Sequence, residues 1–121
     1  MPKDFSRSAR VAEVIQREVA YIMQQGMNDP RVAAVTITHA KVTRDMSSAR
    51  IYFIMQGDDH EVNETEKVLN KASGFIRHEL TGRVDLRHIP KLIFTFDQSI
   101  ERGIRIGKLI EDVMKEDSGN S

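Results

Sequence analysis

The stretch Val68-Leu69-Asn70-Lys71-Ala72-Ser73-Gly74-Phe75-Ile76-Arg77 lies inside a long amphipathic run that a glycine interrupts. Val62, Leu69, Ala72, Phe75, Ile76 and Leu80 recur at helical spacing, so the run reads as helix from about Asp58 to Thr81. Gly74 falls inside the apolar stripe, where glycine costs about 1 kcal/mol relative to alanine. The expected result is a break, with two short helices joined near Ala72-Ser73-Gly74. Asp58 followed by Glu61 has the spacing of a capping box and marks the start. Gly82 marks the stop. A small, glycine-containing junction lets another backbone come close, and the helix that follows offers free amides and a positive dipole end. Lys71 before the break and Arg77 after it add charge, and a simple kink needed for packing is the equal alternative.

Outward from this segment, residues 6–25 read as a first helix, with Val11, Val14, Ile15, Val19, Ile22 and Met23 forming one stripe. Gly26 and Pro30 end it. Residues 32–44 and 49–56 are rich in Val, Ile, Thr, Tyr and Phe and read as two strands. The polar link Arg44-Asp45-Met46-Ser47-Ser48 makes them an antiparallel hairpin. Val35 and Ile37 are out of phase with Ala40 and Val42, which calls for a bulge near His39. Residues 83–90 show no periodicity, residues 92–96 read as a third strand, and residues 100–114 read as a last helix capped by Ser99. Gly103 and Gly107 share a face of that helix and suit close packing. Phe75, Phe94 and Phe96 fall on core stripes. The order is helix, strand, strand, helix-break-helix, strand, helix, with neither repeat nor linker. That order indicates an α+β sandwich of one sheet and a helical layer. A single domain over residues 1–116 is expected, with a short disordered acidic tail at 117–121.

Composition agrees with a small globular domain: 121 residues, 40% hydrophobic and 30% charged. No cysteine is present, which excludes disulfides and thiolate metal sites. The longest apolar runs, residues 19–23 and 51–55, are far short of the roughly 20 residues of a membrane span. Residues 1–10 lack a signal-type apolar stretch, so the expected location is the cytoplasm. Lys and Arg number 18 and so do Asp and Glu. The zero sum hides polarity. Residues 1–50 and 71–91 are basic, whereas residues 51–70 and 92–121 are acidic. If the basic stretches meet in space, a positive face exists despite the neutral total.

Catalytic fingerprints are missing. The sequence contains no G-x-x-x-x-G-K-[ST], G-x-G-x-x-G or G-x-S-x-G. His39, His60, His78 and His88 stand singly, and no paired acid/base site is apparent. Asp58-Asp59-His60-Glu61 reads as an acidic helix start favoured by the dipole, not as a metal site. A magnesium-assisted nuclease built on Asp58, Asp59 and Glu61 is the rival reading. No metal, no cofactor and no enzymatic activity are expected. With seven aromatics and no RNP1-like run, recognition of backbone and shape is expected over base readout.

Several segments in order resemble the ribosome-binding factor A family of bacterial small-subunit assembly factors. They are Arg10-Val11-Ala12, Asp29-Pro30-Arg31, Arg44-Asp45 with Ala49, and Ala72-Ser73-Gly74-Phe75-Ile76-Arg77. Leu86-Arg87 with Ile89-Pro90, and Phe96-Asp97-Gln98-Ser99 with Gly103, complete the set. The resemblance covers nearly the whole chain. It implies a KH-like domain of type II topology, ordered α-β-β-α-kink-α-β-α, in which an Ala-x-Gly kink replaces the usual G-x-x-G. It further implies a non-catalytic protein that binds free 30S subunits, contacts 16S rRNA, supports late maturation and 5′-end processing, and is linked to growth in the cold. Lys71, Arg77, Arg83, Arg87 and His88 would meet phosphates, with Ser73 and Gly74 allowing close approach. Arg7, Arg10, Arg31 and Arg44 are secondary candidates, and Arg10 and Arg31 are as compatible with internal salt bridges. A monomer is expected. The alternative is a module that binds ribosomal proteins or an assembly GTPase instead of RNA.

Overall fold

The computed structural model describes residues 3–26 and 30–99. Helix α1 spans Lys3–Gly26 and leads through a single helical turn, α2 (Pro30–Ala33), into strand β1 (Thr36–Val42). Strand β2 (Ser48–Ile54) follows, then helices α3 (Asp59–Lys71) and α4 (Ser73–Thr81), and last strand β3 (Lys91–Phe96). This is the α+β, KH-like order expected. The expected last helix, its Gly103/Gly107 pair and the 116/117 boundary lie outside the described residues.

Two local expectations change. The sequence pattern starts the first strand at Val32, but Pro30–Ala33 is helical and β1 starts at Thr36. Pro30 fixes a helical φ where its missing N–H is not needed, and the Val35 N–H closes the turn onto the Val32 carbonyl at 3.1 Å. The pattern also places Phe75 in the core, whereas it is 50% exposed. The contact stripe of the short α4 is only Ile76 and Leu80 wide, and a residue 100° away from it faces out.

The sheet order is β1-β2-β3. β1 and β2 pair antiparallel, with a register shift between Ile37 and His39 where the phase conflict required a bulge. β2 and β3 pair parallel, from Ser48↔Lys91 to Phe53↔Phe96. The parallel pair needs a crossover, and α3 and α4 supply it. Ala49, Ile51 and Phe53 of β2 and Leu92 and Phe94 of β3 point to one face. They pack there against Ile15 and Val19 of α1, Leu69 of α3, and Ile76 and Leu80 of α4. Among the described residues, helices cover this face alone.

Helix α3 also lies against the outer side of β3. Asn70 Nδ2 donates to the Phe94 carbonyl at 3.0 Å, and the Phe94 N–H donates to Asn70 Oδ1 at 2.8 Å. The Phe96 N–H donates to Glu66 Oε2 at 3.0 Å. The side chains of α3 thus take the hydrogen-bonding place that a further strand would fill.

Candidate nucleic-acid interface

The register fixes which charges share an end. The Lys91 N–H donates to the Ser47 carbonyl at 3.0 Å, so the hairpin turn and the start of β3 lie together. At the opposite end the Asp97 N–H donates to the Phe53 carbonyl at 2.8 Å, next to the segment that starts α3. α3 runs back along β3, with Glu66 beside Phe96 and Asn70 beside Phe94. Its acidic first turns, with Asp58, Asp59 and Glu61, therefore sit at one end and Lys71 points to the other. Asp58 and Glu61 form the expected capping box: the Glu61 N–H donates to Asp58 Oδ1 at 2.8 Å and the Asp58 N–H to Glu61 Oε1 at 3.3 Å. Among the described residues no three His, Asp or Glu side chains group as metal ligands. Among the described residues, Arg44, Lys71, Arg77, Arg87, His88 and Lys91 thus lie towards the hairpin end, away from the acidic start of α3.

The junction between α3 and α4 is tighter than a loop. Ala72 alone separates them, with φ −85° and ψ −2°, and serves both helices as cap. Its N–H reaches the Val68 carbonyl at 3.0 Å, and the Ile76 N–H reaches the Ala72 carbonyl at 3.0 Å. The Ser73 hydroxyl donates to the Asn70 carbonyl at 2.7 Å. No side chain caps the first turn of α4. Gly74 sits in that turn, and a Cβ added there would meet no heavy atom within 4 Å. Among the described residues, packing therefore does not require the glycine. It leaves open space on the surface where a partner backbone can approach. Gly74→Ala should leave the melting temperature unchanged or raise it, since alanine is the better helix former by up to about 1 kcal/mol. Affinity for small subunits, the partner that the family resemblance implies, should fall in the same variant, measured by co-sedimentation. Unchanged affinity would show that the space goes unused.

Gly74 opens onto a cleft of about 580 Å³ that it lines with Arg77, His78, Arg87, His88 and Ile89. Four candidates from the sequence meet here: Gly74, Arg77, Arg87 and His88. His78 is not among the sequence candidates, although its place four residues after Gly74 on one helix puts it on the same face. Lys91 is not among them either, because only the β2–β3 register brings it to this end.

Two of the candidate arginines have internal work. Arg77 Nε and Nη2 both donate to the Ile89 carbonyl, at 3.0 and 2.7 Å. This clamp holds the irregular 83–90 segment against α4 and leaves part of the guanidinium at the cleft. Arg83 Nε pairs with Glu18 Oε2 at 2.9 Å, and its guanidinium lies 4.3 Å from the centre of the Tyr21 ring. The hydrogen bond to Glu18 is the main reason its pKa is raised further. Arg83 therefore ties the end of α4 to α1. Lys71, Arg87 and His88 are exposed. Arg7 and Arg10 are exposed on the first turns of α1, outside the cleft lining. The Arg31 side chain lies outside what the structure describes. Arg44 is exposed on the hairpin turn, which is braced by its neighbour. Asp45 accepts from Thr43 Oγ1 at 2.7 Å and from the Ser47 N–H and Oγ at 3.1 and 2.8 Å. These bonds, that from Thr43 foremost, hold its carboxyl below the usual value. They fasten a turn in which Met46 takes the left-handed φ of 60°.

A larger cleft of about 1160 Å³ is lined by Asp59, Glu66 and Asp97 together with His39 and Lys41, and its three carboxylates disfavour a phosphate backbone. The smaller basic cleft is the better interface on chemistry.

The comparisons with known proteins bear on the family and the fold. Residues 7–110 match the family model described as Ribosome-binding factor A. The ribosome-binding factor A of Nitrosococcus oceani is 46% identical over 122 residues, covering 100% of this chain and 96% of its own. The crystal structure of ribosome-binding factor A from Thermus thermophilus superposes with a TM-score of 0.66 at 22% identity, over 74% of this chain and 93% of that one. A homology model of the Thermus thermophilus factor, fitted into a cryo-electron-microscopy map of its complex with 30S, gives 0.58 at 22% identity, over 70% and 89%. A match across most of its length and close relatives along all of it place the chain in the ribosome-binding factor A family.

Proposed function

We propose that this protein is a non-catalytic factor that binds the free 30S subunit as a monomer and contacts 16S rRNA through its basic end. Late maturation of the subunit, processing of the rRNA 5′ end and support of growth in the cold complete the reading. The observation that carries it is the cleft of Gly74, Arg77, Arg87 and His88, where an accessible helix start meets clustered cations. Membership of a ribosome-binding family supports it, as does the 30S complex of the Thermus thermophilus relative. Phosphate contacts make the association salt-dependent. Sedimentation with free subunits and with 70S ribosomes across a salt series tests this. Co-migration with free subunits alone, abolished as salt rises, is expected. Absence of co-migration at low salt would overturn the reading.

Phe75 favours a second reading, in which α4 docks on a ribosomal protein or an assembly GTPase. It is a half-exposed aromatic one residue from Gly74, and large exposed aromatics suit protein contacts. Cross-links to protein alone would favour that reading.

A further inference from the structure

The cleft beside Gly74 holds two kinds of positive group. Arg77 and Arg87 carry their charge at any working pH. His78 and His88 line the same cleft, and histidine is the side chain that changes its charge between about pH 5 and 8. The two imidazoles come from different elements, His78 from α4 and His88 from the irregular 83–90 segment. The bonds from Arg77 to the Ile89 carbonyl hold that segment in place, one residue from His88. Both histidines are exposed, and among the described residues neither imidazole has a hydrogen bond or an ion pair. Among the described residues no carboxylate lines the cleft, and Glu79 and Asp85, the nearest in sequence, stand outside the lining. On the elements packed against α4, Glu18 and Tyr21 of α1 are taken by Arg83, whereas Lys71 of α3 and Lys91 of β3 add positive charge.

We infer that His78 and His88 take up protons when this cleft grips an RNA backbone, so that the strength of the grip follows pH. His78 is then a contact residue of the interface alongside His88. A phosphate beside an imidazole favours its charged form. Binding and protonation therefore support each other, and by reciprocity affinity rises as pH falls. A phosphodiester keeps its single negative charge throughout this range, so the change comes from the protein. A neutral imidazole still has one N–H to donate to a phosphate oxygen, so binding weakens at high pH without vanishing. Arg77 spends Nε and Nη2 on the Ile89 carbonyl, which leaves more of the phosphate to the histidines and Arg87. The inference rests on the rRNA reading above and adds a regulation of the same site.

The test is co-sedimentation with free small subunits at pH 6, 7 and 8, each across a salt series. Affinity should rise by about tenfold from pH 8 to pH 6. The salt dependence should steepen over the same range, by about 0.7–0.9 in the log–log slope for each imidazole that becomes charged. In the double variant His78→Gln with His88→Gln the ratio of the two affinities should collapse to within about twofold, with a melting curve at each pH to confirm the fold. That ratio is a readout that a purely structural role would not move. His60→Gln should keep the wild-type ratio, since His60 stands in the acidic first turn of α3 and does not line the cleft. A wild-type ratio within about twofold, or a full ratio kept by the folded double variant, would overturn the inference while leaving subunit binding intact. Failure of the rRNA reading looks different: subunits would not co-sediment at any pH, and the inference would fall with it.

Discussion

Neutralising Lys71 and Arg87 together, as Lys71→Gln and Arg87→Gln, should lower affinity for free small subunits by about 10- to 100-fold at physiological salt. Both side chains are exposed, and among the described residues no hydrogen bond within the fold depends on either charge. Each can therefore be removed without loosening the domain. An exposed phosphate contact contributes about 0.7–1.4 kcal/mol, so two together account for the range. The salt dependence should flatten as well, by about 0.7–0.9 in the log–log slope for each phosphate that is no longer neutralised. Co-sedimentation at several salt concentrations reads both quantities, and a melting curve confirms the fold. Unchanged affinity in the folded double variant would remove these residues from the interface. Arg77 is unsuitable for such a test. Its two bonds to the Ile89 carbonyl mean that Arg77→Ala would release the 83–90 segment and change fold and binding at once.

Asn70→Leu should destabilise the domain by about 2–3 kcal/mol. The amide satisfies both the N–H and the carbonyl of Phe94, and leucine has neither group to offer. Two backbone groups would then lack partners at a part-buried position. In urea the midpoint should fall by about 1–2 M with little change in slope. Asn70→Asp keeps the acceptor for the Phe94 N–H and should cost less. A midpoint within experimental error of wild type for Asn70→Leu would show that water replaces the amide at no cost.

Local signals in the sequence are legible wherever a residue acts on its own backbone. The capping box at Asp58 and Glu61, the stop at Gly82, the hairpin around Asp45 and the bulge beside His39 all stand as read. Contacts between distant residues are not legible. Nothing near Arg77 shows that its guanidinium faces the Ile89 carbonyl, and nothing near Arg83 points to Glu18, 65 residues away. The sequence shows Arg77 and Arg83 as cations, but not as tethers. The error at Phe75 has a related cause. The helical stripe reads straight through Ala72, whereas the short α4 has room for only two buried positions. The pairing of Lys41 with Arg50 is invisible in the sequence because they lie nine positions apart and become neighbours only through the β1–β2 register.

The bonds from Asn70 and Glu66 to β3 have a consequence beyond stability. A strand at the rim of a sheet is a template on which a foreign chain can add itself, and such addition begins filaments and precipitates. Here the amides of Phe94 and Phe96 are already engaged by α3, and the other rim, β1, is distorted by its bulge and carries Lys41. Both rims are thus closed to recruitment. Removal of the Asn70 amide would reopen one of them, so that such a variant clumps from its folded state before it unfolds.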